Sequence, residues 1–142
     1  MLTKIYIQGK SKNPAKQRTT WAKWSIVCVL NNGTIEKRSG TVCINNATTK
    51  RAVLTALSQA LSRFNRPAML KIYITDDFVR NSLCNGWTTR WKQNNWHKIR
   101  LNGQLIHEDL WRQVQQQLSN HAVTFASADE IFETHKEITD WR

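Results

Sequence analysis

A chain of 142 residues with 40% apolar side chains and seven Trp can bury a core, which excludes a disordered or purely linker role. No run approaches the roughly 20 apolar residues of a membrane span, so one domain covering 1–142 is predicted, with no membrane partner. The formal charge of +11 is lopsided: residues 1–66 hold 12 Lys or Arg against the single acid Glu36, whereas residues 67–142 hold nine of each sign, and such a field favours a polyanion, nucleic acid foremost.

The opening Lys4-Ile5-Tyr6-Ile7 alternates polar and apolar and then meets Gly9-Lys10-Ser11-Lys12-Asn13-Pro14, a basic turn after a strand. Met1 to Gly9 has no apolar core of the kind a signal peptide needs, which points to an intracellular, cytoplasmic protein. Trp24 to Leu30 is a nearly continuous apolar run ending at Asn31-Asn32-Gly33, a hairpin signal, and the return strand is predicted over Thr34 to Ile44 with Gly40 as a bulge. Between Thr48 and Phe64 the apolar residues recur at helical spacing, with Thr48 or Thr49 as the cap and Pro67 as the stop. Met69 to Thr75 then reads as a buried strand ending in Asp76-Asp77, parallel to the first strand because a helix separates them. Further along, Phe78 to Leu83 is a short helix. Trp87, Trp91 and Trp96 sit among cations, Glu108 to Leu118 is amphipathic, and Ala122 to Ala126 is a last strand. The acidic tail 129–142, with five acids and two bases, is predicted helical. Cys28, Cys43 and Cys84 are an odd number with no close pair, which fits neither a disulfide framework nor a zinc site and leaves them as small core residues.

Several local runs resemble the ribonuclease H family. In Ile72-Tyr73-Ile74-Thr75-Asp76-Asp77-Phe78-Val79-Arg80 an Asp closes a strand and an aromatic-Val pair opens a helix, as in that family's central strand, and Trp87, Trp91 and Trp96 follow at its spacing. Asp109-Leu110-Trp111 resembles its Asp-Leu-Trp helix, His121-Ala122-Val123-Thr124-Phe125 the strand after it, and Asn13-Pro14 and Thr48-Thr49-Lys50-Arg51-Ala52-Val53-Leu54 its first turn and first helix. The similarity runs to about residue 127. It implies an α/β fold of the ribonuclease H type: a five-stranded mixed sheet, three antiparallel strands then two parallel, with helices on both faces.

The resemblance also implies a chemistry. Ribonuclease H enzymes cut RNA in RNA/DNA hybrids with two divalent ions about 4 Å apart, which demand several anionic ligands. The strand-one acid position is held here by Gln8 and the helix position by Val53, so Asp76 is the clear remnant. Glu137 or Asp140 of the tail are candidates for the remaining acid, and Asp76 with Asp77 could hold a single metal weakly. No cofactor is expected, or Mg or Mn if cleavage persists. Asn13 and Thr48 match positions that hold a DNA phosphate, with Lys10, Lys12, Lys16, Arg18, Thr49, Lys50 and Arg51 around them, and the resemblance extends the interface to Arg90, Lys92, Trp96 and Lys98.

The expectation is therefore a ribonuclease H-like protein that binds RNA/DNA hybrid or duplex backbone with little or no nuclease activity. The alternatives are a diverged Mg- or Mn-dependent nuclease and a protein-interaction domain that keeps the fold for packing. The absent acids separate the first two readings, and the charge asymmetry weighs against the third.

Overall fold

A computed structural model describes residues 2–10, 18–30, 32–85, 87–93 and 107–131. Among these, β1 (Leu2–Lys10), β2 (Arg18–Val29) and β3 (Ile35–Ala47) precede α1 (Thr49–Leu61) and β4 (Met69–Ile74). Then come α2 (Asp77–Cys84), α3 (Trp87–Gln93), α4 (Glu108–Leu118) and β5 (Ala122–Phe125). The strands form one sheet in the order β3-β2-β1-β4-β5, antiparallel from β3 to β1 and parallel from β1 to β5, as expected.

The two central strands explain the layering. Ile5 and Ile7 of β1 and Ile72 and Ile74 of β4 point to one face and are fully buried with Val53, Leu54 and Leu57 of α1 and Trp111 and Val114 of α4. Tyr6 and Tyr73 point to the other face, stacked with ring centres 4.7 Å apart, and meet Ala126 and Ile131 of the helical turn at 128–131. A strand buried on both faces loses its polar alternation, which is why β4 reads as a nearly unbroken apolar run. Lys71 of β4 pairs with Glu130 of that turn.

The β2–β3 connection is a three-residue hairpin. Gly33 donates to the Leu30 carbonyl at 2.9 Å and Leu30 to the Thr34 carbonyl at 2.8 Å, while Gly33 takes φ +85°, a value costly for any residue with a Cβ. Gly40, expected as a bulge, is not one. It lies in register opposite Trp24, and the ladder's only irregularity among the described pairs is between Arg18 and Thr20. Its small size has a different cause: the Trp24 indole lies directly over it and reaches Gln59 Oε1 through Nε1 at 3.2 Å.

Helix α1 ends at Leu61, before the predicted Phe64, because Arg63 and Phe64 bond three residues back to Ala60 and Leu61 and tighten the last turn. The cysteines also depart from expectation: Cys28 is half-buried near the end of β2, in phase with the buried Trp24 and Ile26, and Cys43 and Cys84 are exposed. No helix among the described residues is long and apolar enough to cross a membrane.

A Cβ at Gly40 would stand 2.6 Å from the Trp24 ring. Gly40→Ala should therefore destabilise the protein by about 1–3 kcal/mol through overpacking, read as a lower urea midpoint at unchanged slope.

Candidate functional site

The carboxyl ends of β1 and β4 meet at one edge of the sheet. The Thr75 N–H donates to the Ile7 carbonyl at 3.1 Å, extending the parallel ladder by one bond and placing Asp76 just past the level of Gln8. Asp76 then caps α2: its Oδ1 accepts the Val79 N–H at 2.9 Å, an N-cap arrangement that satisfies one of the helix's orphan donors. Asp77 has a separate task. It pairs with Arg80, whose side chain is buried and whose other amino group donates to the Ile74 carbonyl at 3.1 Å. A buried guanidinium without that partner would be an uncompensated charge, so Asp77 is committed to it.

Helix α1 approaches the same edge from the core side. A Cβ on Gly9 would stand 2.6 Å from Val53 Cγ2 and 2.7 Å from Thr49 Cγ2, so the bare glycine lets the helix lie on the strand. Val53 is completely buried there. Gln8 Oε1 and the Thr49 hydroxyl are also buried, and neither has a hydrogen-bond partner. Two divalent ions need several charged oxygens, and this edge offers one uncapped oxygen of Asp76, a neutral amide and a hydrocarbon. No group of three or more His, Cys, Asp or Glu side chains capable of holding a metal occurs among the described residues. The described side chains thus do not fit an ion pair, and Glu137 and Asp140 lie outside the described residues.

The first turn of α1 forms a second cluster. Thr48 is the N-cap by backbone, but its hydroxyl makes no capping bond and instead lies 3.3 Å from His107 Nε2. Arg51 forks onto Asp109 at 3.2 and 2.9 Å and brings Nη1 to 3.4 Å from His107 Nδ1. A guanidinium can only donate, so Nδ1 must accept and Nε2 must carry the proton. In this assignment Nε2–H donates to the Thr48 oxygen, and the Thr48 hydroxyl hydrogen is left to point at a ligand. Burial pushes the His107 pKa below its usual value, helped by the nearby Arg51 and Lys50 charges. The fork to Asp109 raises Arg51 and lowers Asp109. Lys50 lies 5.5 Å over the Phe78 ring, which holds that cation at the junction of α1 and α2.

The structure therefore gathers Thr48, Thr49, Lys50 and Arg51 beside the Gln8, Val53 and Asp76 edge, with Lys10 closing β1 nearby. Arg90 and Lys92 are exposed on α3, away from this edge. Lys12, Asn13, Lys16, Trp96 and Lys98 lie outside the described residues, as do the side chains of Lys10, Arg18, Trp87 and Trp91. Sequence reasoning passed over His107. It sits in the left-handed region (φ 63°) just before α4, and no periodicity or motif marks it.

Comparison with known proteins agrees with the fold. The family described as RNase H matches residues 3–130. A ribonuclease H of Thermoanaerobacter sp. (strain X514) is 30% identical over 125 residues, covering 87% of this chain and 75% of its own. That of Chlorobium luteolum is 35% identical over 78 residues, and the match spans 55% of this chain and only 53% of that relative. Among solved structures, LC9-RNase H1, described as a type 1 RNase H with the type 2 active-site motif, superposes with a TM-score of 0.74 at 18% identity, covering 87% of this chain and 61% of its own. A foamy viral protease-reverse transcriptase in complex with RNA/DNA hybrid gives 0.66 at 17% identity, over 95% of this chain and 18% of that one.

Because the His107 pKa is lowered in the folded protein, the unfolded chain binds more protons just below pH 6.5. The stability that neutral His107 contributes is therefore full above 6.5 and is lost as pH falls through its folded pKa. His107→Asn tolerates the same backbone but cannot titrate, so its Tm should fall less steeply than wild type between pH of about 7.5 and about 5.

Proposed function

Because the chain belongs to the ribonuclease H family, we propose that it binds RNA/DNA hybrid or another duplex by its backbone phosphates and cuts it little or not at all. The observation that carries this reading is Val53: where the resemblance implies a metal-bridging Glu, a completely buried hydrocarbon packs onto Gly9. The capping bond of Asp76 and the commitment of Asp77 to Arg80 support it from the other side of the edge.

The binding half of the reading rests on the first turn of α1. Its leading N–H groups, the Thr48 hydroxyl and the cations Lys50 and Arg51 converge with no acid in that turn, an arrangement suited to one phosphate. The foamy viral protein of the same fold was captured with RNA/DNA hybrid, and we carry that ligand class to this chain. Such a ligand implies an intracellular, cytoplasmic place of action. A diverged nuclease is the second reading, favoured by one fact: the Asp76 cap uses only Oδ1. In that case Mg or Mn would be required, with Asp77 or a tail acid joining Asp76.

Incubation with labelled hybrid and with duplex DNA, in EDTA, Mg²⁺ or Mn²⁺, separates the two. The expected outcome is a mobility shift without cleavage. Log affinity should fall linearly with log salt at a slope of about −0.9 per phosphate neutralised, and Asp76→Ala should bind as wild type does. Metal-dependent cutting that Asp76→Ala abolishes overturns the proposal.

A further inference from the structure

His107 is the titratable group at the first turn of α1 that the phosphate reading does not use. It is half-buried just before α4, and its ring nitrogens face two residues of that turn: Nε2 lies 3.3 Å from the Thr48 hydroxyl and Nδ1 lies 3.4 Å from Arg51 Nη1. Arg51 Nη1 is shared, because it also donates to Asp109 Oδ1 at 3.2 Å while Nη2 holds Oδ2 at 2.9 Å. Imidazole, guanidinium and carboxylate thus meet around one amino group. Among the described residues, the charged groups that bear on the ring are Arg51 and Lys50 from α1 and Asp109 from its own helix, while Glu108, the next residue, is paired with Arg112.

One proton changes these roles. The neutral ring accepts from Arg51 through the Nδ1 lone pair, and a ring protonated there has no acceptor left to offer. Nδ1–H then faces a guanidinium that can only donate, and Asp109, whose Oδ1 already shares Nη1 with the ring, is the group able to receive it. Turning Asp109 toward the imidazolium loosens its fork on Arg51 and frees that guanidinium for another anion. Nε2–H goes on donating to Thr48, so the ring keeps its place. In the protein alone this state is disfavoured, since burial, with Arg51 and Lys50 close by, pushes the His107 pKa below its usual value. A phosphate at the Thr48 hydroxyl reverses the balance by setting an anion one hydroxyl away from Nε2.

We propose that the phosphate contact at the first turn of α1 is proton-coupled: the duplex backbone binds there together with one proton on His107, which draws Asp109 to the imidazolium and leaves Arg51 to the phosphate. The proposal rests on the nucleic-acid reading above and names how that same site is regulated. Linkage fixes the sign. A ring protonated more readily in the complex than in the free protein makes affinity rise as pH falls, so duplex is held more tightly in mild acid and more loosely above neutrality. The gain in affinity and the upward move of the ring's midpoint are one quantity, about tenfold for each pH unit.

The test measures hybrid affinity at fixed ionic strength from a pH of about 7.5 to about 5 for wild type and His107→Asn, which suits the left-handed backbone and cannot titrate, with thermal melts at each pH as a check on folding. The remaining histidines are common to both chains, so the difference between the two curves belongs to position 107. Wild-type affinity should gain about tenfold more than that of the variant over this range, and the midpoint of the His107 ring signal in NMR, followed on the wild type itself, should climb by about one pH unit when hybrid is added. Curves that run parallel, or a midpoint that hybrid leaves in place or lowers, overturn this inference alone, because the wild type still binds. A wild type that binds no duplex at any pH overturns the nucleic-acid reading together with it.

Discussion

Six consecutive register pairs, from Leu2 with Met69 to Ile7 with Ile74, tie β1 to β4 in parallel, and the Thr75 N–H adds one more bond beyond them. This ladder is buried on both faces, under α1 and α4 on one side and beneath the stacked Tyr6 and Tyr73 on the other. A one-residue slip would turn Ile5 and Ile7 out of the core and bring Tyr6 into it, so the register is strongly determined. Everything at the functional edge follows from it. Gln8 lies beside the end of β4 because Ile7 faces Ile74, and Lys23 joins the same row because the antiparallel ladder to β2 is set from the same strand.

The first turn of α1 meets two demands with the same atoms. Arg51 and Thr48 belong to the proposed phosphate contact, and through Asp109 and His107 they also fasten the start of α4 to the start of α1. Two turns later Ser58 repeats the connection, accepting from Gln113 Nε2 at 2.8 Å and donating to Gln117 Oε1 at 3.0 Å. The helix pair is thus held by polar bonds along its rim and by Leu57, Trp111 and Val114 beneath. This is why His107 tolerates a left-handed backbone: the bonds at both ring nitrogens over-determine its position.

Much of this was legible in the residues. The helical spacing of Val53, Leu54, Leu57 and Leu61, the Asn-Gly hairpin and the Glu108 to Leu118 stripe each gave an element within a few residues of where it lies. Gly40 misled because a strand glycine has several causes, and only the tertiary approach of Trp24 distinguishes them. The cysteines misled because a small apolar residue carries no signal for how deep its place in an element lies. In the candidate site, family resemblance singled out Asp76, Gln8 and Val53, whereas nothing singled out His107. Its role depends on Thr48 and Arg51, 59 and 56 residues away, and no local pattern encodes such a contact.

The packing of Val53 on Gly9 also couples two positions. A change to Glu at position 53 would press a carboxylate against hydrocarbon, and a change to Asp at position 8 would set a charge beside Lys23 while Val53 still filled the opposite wall. The two substitutions made together should therefore differ in stability from the sum of each made alone.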